Sequence, residues 1–319
     1  MVKKNDVLGI VVPCYKEEEV LPETTRRLTA MLDTLINKGI IDVHSFILYV
    51  NDGSTDKTWE IIEKYHRGNK YVCGVNLACN VGHQNALWAG LSVSISKADM
   101  VVSIDADLQD DIYAIEEMVN KYHDGYDIVY GVRKERKTDS FFKRNTALAF
   151  YKIMNMMGAH TIYNHADFRL MSKRALNYLL QFGERNLFIR GLVPLVGYKT
   201  ESVYYDRTER FAGESKYPLS KMLNFAIDGI TSFSVKPIRL VFLLGIVFII
   251  AAILMLIWTI YSYLLGKTVP GWSSLMLSIW FCSGCVLSSL GIVGEYIGKI
   301  YIESKHRPMY NIESVLFHG

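Results

Sequence analysis

Two long stretches without a charge constrain this chain more than anything else in it. Leu240 through Leu265 runs for 26 residues with no Asp, Glu, Lys, Arg or His, and Trp272 through Val293 for 22. At about 1.5 Å per helical residue, each can cross a hydrocarbon core of about 30 Å. Their length argues against core helices of a soluble fold. Only Gly266-Lys267-Thr268-Val269-Pro270-Gly271 separates them, so the expected arrangement is a tight hairpin. Lys236 and Arg239 flank its entry, and Lys299, Lys305 and Arg307 its exit, against one lysine in the loop. The positive-inside rule then puts both ends in the cytoplasm and the loop outside. Trp258, Tyr261, Tyr263 and Trp272 cluster near that outer end, as an aromatic belt does. Just upstream, Leu219, Met222, Leu223, Ala226, Ile227, Ile230 and Phe233 follow helical spacing. That pattern fits a helix lying in the membrane interface, and equally one facing a core.

The charge lies elsewhere. Residues 1–237 carry nearly all of it, which implies a soluble part followed by a membrane part. The net charge of +3 leaves no nucleic-acid footprint. Five cysteines (Cys14, Cys73, Cys79, Cys282, Cys285) are odd in number and scattered, unlike a disulfide framework. Cys282 and Cys285 read as packing residues in an apolar helix rather than a metal or redox pair. The N-terminus has Lys3 and Lys4 but no apolar region of signal-peptide length before Pro13 and Glu17, so the first part is expected in the reducing cytosol.

In that first part, short apolar runs alternate with charged helical stretches. Strands are expected at Leu8–Pro13, Phe46–Asn51, Val72–Leu77, Met100–Ile104 and Asp127–Gly131, each nearly continuous in apolar character. Helices are expected at Glu17–Lys38, Asp56–Arg67, Gln84–Ser94 and Ile112–His123, with starts at Thr55-Asp56 and Asp110-Asp111. Such alternation predicts a parallel, doubly wound α/β domain that binds ligands at the carboxyl ends of its strands. The polar clusters fall there: Tyr15-Lys16-Glu17, Asn51-Asp52-Gly53-Ser54 and Asp105-Ala106-Asp107.

Each cluster has a chemistry and an ordinary alternative. Asp105 and Asp107, with Gln109 adding a neutral oxygen, suit a hard cation such as Mg2+ or Mn2+ whose shell phosphate oxygens complete. Solvated loop acids are the plain alternative. Asp52 can accept hydrogen bonds from a nucleobase or ribose, with Gly53 permitting the turn, or can simply start a helix. Arg133, Arg136, Lys143 and Arg144 form one basic stretch; Arg207, Arg210 and Lys216 form another. Arginine forks bind phosphate, while solvated faces and attraction to anionic lipid are the other uses of such runs.

Together these segments make the chain similar to glycosyltransferase family 2, and within it to polyprenyl-phosphate glycosyltransferases, relatives of dolichol-phosphate mannose synthase. The resemblance rests on Val11-Val12-Pro13-Cys14-Tyr15-Lys16-Glu17-Glu18, Asn51-Asp52-Gly53-Ser54-Thr55-Asp56, Asn80-Val81-Gly82-His83-Gln84 and Asp105-Ala106-Asp107-Leu108-Gln109-Asp110. It continues through Gly131-Val132-Arg133, Asp167-Phe168-Arg169-Leu170, Arg210 with Gly213, Ser215 and Lys216, and Gly294 through Tyr301. It implies a GT-A (Rossmann-like) catalytic domain over residues 1–215, a juxtamembrane helix over 216–237, a transmembrane hairpin over 238–298 and a cytoplasmic tail over 299–319. It implies inverting transfer of a hexose or N-acetylhexosamine from a UDP-sugar to polyprenyl (undecaprenyl) phosphate at the inner membrane. Pro13, Tyr15, Glu17, Asp52 and Asp105 would hold the nucleotide sugar, and Asp105, Asp107 and Gln109 the cation. Arg133, Arg144, Arg210, Ser215 and Lys216 would meet the acceptor phosphate, and Asp107, Asp167 and Arg210 would be catalytic. Membrane lipids are expected partners, nucleic acid is not, and a homo-oligomer is compatible. Relatives commonly have proline after the Asp-Leu-Gln-Asp stretch; Asp111-Ile112 stands here, which leaves open where the next helix starts.

Two other readings compete. A processive polysaccharide synthase would carry Gln-x-x-Arg-Trp, which Gln181-Phe182-Gly183-Glu184-Arg185-Asn186 does not supply. A non-catalytic nucleotide-sugar-binding membrane subunit is opposed by the intact Asp105, Asp107 and Gln109 set. For Asp167, a base is one role and orientation of Arg169 or a phosphate-binding arginine is another. A phosphate monoester, with its second pKa near about 6, needs no base at neutral pH. Orientation is therefore the expected role.

Overall fold

The computed structural model describes residues 6–134, 165–185, 187–206, 236–265 and 271–318. Arg136, Lys143, Arg144, Arg207, Arg210, Ser215, Lys216 and the amphipathic stretch from Leu219 to Phe233 lie outside the described residues, as does the loop carrying Lys267 and Thr268.

The chain divides into two compact units. The first holds an eight-stranded sheet and takes in Met1–Leu148, Thr161–Tyr217 and Arg307–Gly319. Its first five strands are β1 (Leu8–Cys14), β2 (Phe46–Asn51), β3 (Val72–Leu77), β4 (Met100–Ser103) and β5 (Ile128–Arg133). Between them come α1 (Leu21–Asn37), α2 (Thr58–Gly68), α3 (His83–Ser94) and α4 (Ala114–His123). β1, β2 and β4 are buried along their whole length, which is why their sequences read as unbroken apolar runs. Helix starts follow local chemistry. Asp56 Oδ1 accepts from the Thr58 amide at 3.2 Å, and Asp111 Oδ1 from the Tyr113 amide at 3.0 Å. Asp111 therefore opens the turn into α4 without a proline.

The sheet is mixed rather than wholly parallel. Its order is β7-β5-β6-β4-β1-β2-β3-β8. β6 (His165–Ser172) lies antiparallel between β4 and β5, β7 (Thr200–Tyr205) pairs parallel with β5, and β8 (Ile312–Leu316) pairs antiparallel with β3. Sequence reading expected none of these three. β6 carries Asp167 and Arg169 among its buried residues, which breaks the apolar pattern expected of a central strand. β8 comes from the far end of the chain, so the residues beyond 311, expected as a tail, are part of the sheet. After β6 follow α5 (Lys173–Leu179), the single-turn α6 (Ile189–Leu192) and a 3-10 turn over Val193–Val196.

Close packing of α3 on the sheet fixes the entrance to the site. A Cβ on Gly90 would stand 2.5 Å from Val11 Cγ1 and 2.6 Å from Val50 Cγ2, so no side chain fits there. The N-terminus of α3, with His83 and Gln84, is thereby held at the carboxyl ends of β1 and β4.

The second unit contains α7 (Lys236–Leu264) and α8 (Trp272–Ser304), whose Phe248 and Phe281 rings meet edge-on at 5.4 Å. Among the described residues, one helix segment, Phe281–Ser304, is long and apolar enough to cross a membrane, with mean hydropathy 1.3. α8 extends past both Val293 and the expected boundary at 299. Phe242, Leu254, Trp258, Leu287 and Leu290 are all more than half exposed, far more apolar surface than a soluble monomer leaves uncovered. All five cysteines are free.

Candidate active site

Three clusters gather at the carboxyl ends of the central strands. The first follows β1 and β2. Tyr15 is 45% exposed beyond the buried Pro13, and the Glu17 amide is held by Thr58 Oγ1 at 3.0 Å. Asp52 is buried, and its carboxylate accepts from the Val81 amide at 2.7 Å and the Gly82 amide at 3.0 Å. Expected to face a nucleoside, Asp52 thus also locks the loop between β3 and α3. Gly53 sits beneath that loop with φ of +59°, and a Cβ there would lie 2.4 Å from the Asn80 nitrogen. Only glycine meets both demands. Lys16 also adopts a left-handed backbone, φ 57°, a conformation that costs a non-glycine residue about 1–2 kcal/mol.

The second cluster follows β4. Asp105, Asp107 and Gln109 are each partly exposed, while Ala106, Leu108 and Asp110 between them are buried. The alternation aims three oxygen-bearing side chains outward, and the left-handed Leu108, φ 56°, turns the chain between the last two. This donor set fits a hard cation that lacks a complete protein shell. Among the described residues no three His, Cys, Asp or Glu side chains converge on a metal-sized site. Burial pushes the Asp105 carboxyl up to about 6, against the pull of His83 and with the help of Asp167, Asp110 and Asp107. Its side chain keeps 34% of its surface open, so it is reachable.

Asp110 points the other way, into the sheet. Its Oδ1 accepts from Arg133 at 3.0 Å and from the Tyr205 hydroxyl at 2.5 Å. Burial would lower the Arg133 guanidinium, but Asp110 and Tyr205 outweigh it and raise its pKa. Arg133, expected at a phosphate, is therefore also a strut joining β5 and β7 to the β4 loop.

The third cluster is assembled from four separate segments. Asp167, on β6, is buried and pairs with Arg169. Arg190, on α6, meets the same carboxylate twice, Nε to Oδ1 at 3.2 Å and Nη2 to Oδ2 at 3.0 Å. His83 Nε2 stands 3.6 Å from both Asp105 Oδ1 and Asp167 Oδ2. Gln84 donates to Asp167 at 3.4 Å and accepts from the Ile189 amide at 3.2 Å, so α3 holds α6 in place. Burial alone would raise the Asp167 carboxyl. Arg190, His83 and Arg169 overcome it and hold the group well below the usual carboxylate range. Burial likewise opposes the His83 imidazolium, yet Asp167 and Asp105 raise its pKa above the ordinary value. His83 and Gln84 stood in a recognisable segment without an assigned role. Arg190 carried no sequence signal at all.

The segment from residue 9 to 180 matches the family described as Glycosyl transferase family 2. The chain is 55% identical to the uncharacterized glycosyltransferase YkoT of Bacillus subtilis (strain 168), over 99% of this chain and 94% of that protein. It is 39% identical to the bactoprenol glucosyl transferase of Shigella phage SfV, over 96% and 98% of the two chains. It is 37% identical to the prophage bactoprenol glucosyl transferase homolog of Escherichia coli (strain K12), over 97% and 99%.

Proposed function

Because the chain belongs to glycosyl transferase family 2, we propose that it transfers a sugar from a nucleotide donor to a polyprenyl phosphate at a membrane. The donor is a UDP-hexose or its N-acetyl form, the acceptor undecaprenyl phosphate, and the transfer inverting. The names of the phage and prophage relatives support the acceptor class.

The observation that carries the acceptor assignment is the state of Asp167. A sugar hydroxyl needs a base to take its proton. A phosphate monoester is mostly dianionic at neutral pH and needs alignment and compensating charge. Asp167 has both oxygens engaged by arginines and a depressed pKa, which makes it a poor base and a good anchor. Arg190, held along its Nε–Nη2 edge by Asp167 and 32% exposed on its side chain, would offer its remaining N–H groups to the acceptor phosphate. Arg133, Arg144, Arg210, Ser215 and Lys216 would complete the phosphate wall, and Pro13, Tyr15, Glu17 and Asp52 the nucleoside pocket.

Asp105, Asp107 and Gln109 would hold Mg2+ or Mn2+ together with diphosphate oxygens. When bound, the cation supplies neutralisation of the negative charge that grows on the leaving diphosphate. Asp105 would also border the donor sugar, with His83 between it and Asp167.

The membrane reading is supported by α7, α8 and β8. A β-sheet cannot be hydrogen-bonded across a bilayer, so the return of the chain to the sheet at β8 is compatible with two crossings and not with one. Two crossings by α7 and α8 satisfy this, with the catalytic sheet cytoplasmic by the lysines and arginines flanking the hairpin. A Thr268→Cys variant, with the native cysteines replaced, should react with an impermeant thiol reagent from outside intact cells. Labelling only after the membrane is opened reverses the orientation.

The decisive experiment incubates the purified protein in detergent with undecaprenyl phosphate, a cation and a panel of nucleotide sugars, and reads the lipid product by mass. A sugar-phosphate-lipid formed with one UDP-sugar is the expected result. A product formed only on sugar hydroxyls, or none with any donor, refutes the reading.

A further inference from the structure

The end of the chain reaches the loop assigned above to the donor nucleotide. β8 lies against β3 in the register Asn76↔Ser314, with the Ala78 amide donating to the Asn311 carbonyl at 3.0 Å. Between β8 and the loop after β1 runs a line of four hydrogen bonds, all with the same polarity. The Lys16 amide donates to Ser54 Oγ at 3.0 Å, and the Ser54 amide to Asn51 Oδ1 at 3.3 Å. Asn51 Nδ2 donates to Asn76 Oδ1 at 2.7 Å, and Asn76 Nδ2 to Glu313 Oε2 at 2.8 Å.

Elementary hydrogen-bond chemistry gives this line a direction. A carboxylate only accepts, so Glu313 requires the NH2 of Asn76. Asn76 must then turn its oxygen to Asn51, and Asn51 must turn its own oxygen to the Ser54 amide, which only donates. Without the terminal acceptor only the Ser54 N–H at the other end holds this order, and a flipped Asn76 would force Asn51 to set its NH2 against that N–H. The charge at the end also strengthens each bond before it.

We infer that Glu313, from the C-terminal strand, is a positioning residue for the donor nucleotide. Its carboxylate fixes the orientation of Asn76 and Asn51 and hence the shape of the Asp52-Gly53-Ser54 turn and of the left-handed Lys16 beside Tyr15. The inference rests on the donor reading above for its ligand, though not for its geometry. Glu313 is exposed and touches no reacting group, so its influence passes through the two asparagines.

The test uses the full-length protein in detergent and two readouts, UDP affinity by calorimetry and hydrogen exchange at the Ser54 amide. Glu313→Lys replaces the acceptor with a donor. It should weaken UDP about tenfold, the scale of a lost charge-assisted hydrogen bond, and speed Ser54 exchange. In turnover the donor KM should rise by a similar factor while the acceptor KM stays within about twofold. Asn76→Asp should weaken UDP likewise, because two carboxylates then face each other. The double variant Asn76→Asp with Glu313→Lys keeps an accepting oxygen toward Asn51 and replaces the facing carboxylate with a donor, so affinity and exchange should return toward wild type. Glu313→Gln, which can still offer an oxygen, should stay near wild type. A merely structural role predicts additive damage in the double variant. Additive damage, or unchanged Ser54 exchange in Glu313→Lys, overturns the inference. If wild-type protein binds no UDP, the donor reading fails, and Ser54 exchange in the same variants still decides for or against the relay.

Discussion

The proposed donor end and the proposed transfer end of this site are built in opposite ways. At the donor end, Asp52 spends its charge on two backbone amides, and the neighbouring amides and hydroxyls are joined by neutral hydrogen bonds. At the transfer end, Asp167 spends its charge on two arginines and lies near a histidine. The first arrangement fixes loop shape, which a nucleoside needs. The second concentrates charge that can be shared with an incoming anion. An acid of one type does both jobs because its partners differ.

The contrast can be broken most severely at the cation. Asp107→Ala should abolish transfer, a loss of at least about 10²–10³ in kcat, because charge growing on the leaving diphosphate is left uncompensated. Excess EDTA should have the same effect on the wild type. Full activity in either condition removes the cation from the account.

The next largest effect concerns Asp167. Asp167→Asn frees Arg169 and Arg190 from their anchor, so the acceptor KM should rise about tenfold or more, with little recovery as pH increases. A clean alkaline rescue at unchanged acceptor KM would make Asp167 the base after all and erase the distinction between the two ends.

Asp52→Asn should act more gently. One amide oxygen remains where two carboxylate oxygens accepted, and one backbone N–H is left unpaired, at a cost of about 1–3 kcal/mol. The donor KM should rise several-fold and the melting temperature should fall by a few degrees, with the acceptor KM unmoved. A change confined to the acceptor would show that the donor and transfer ends had been exchanged.

The smallest effect is in acid. The folded-state pKa of Asp167 is depressed, so its contribution to stability is fully present above the usual carboxylate range and is lost as pH falls through the lower folded value. From about pH 4 downward, the melting temperature of Asp167→Asn should therefore decline less steeply than that of wild type. Parallel declines would show that Asp167 makes no such contribution.

Much of this architecture is local chemistry and was legible as such. β1 through β4 begin and end within a residue of the positions their apolar runs predict, because a strand covered on both faces admits little else. The Asp105, Asp107, Gln109 cluster falls at the end of β4, where the apolar run stops, and the turn at Leu108 leaves all three partly exposed. β6 escaped notice for the complementary reason: Asp167 and Arg169 interrupt its apolar run, and their expected partnership does not by itself reveal that both are buried in a central strand.

What the sequence by itself determined, then, is the alternation of the first five strands with their helices, the apolar pair that lies beyond them, and the polar loops at the strand ends. The tertiary structure alone decided which of those loops meet. Gln84 lies 105 residues from Ile189 and 83 from Asp167, and Asn76 lies 237 from Glu313. Periodicity and turn chemistry act over a few residues. Strand order, set by which faces must be buried together, brings such distant residues within hydrogen-bond reach.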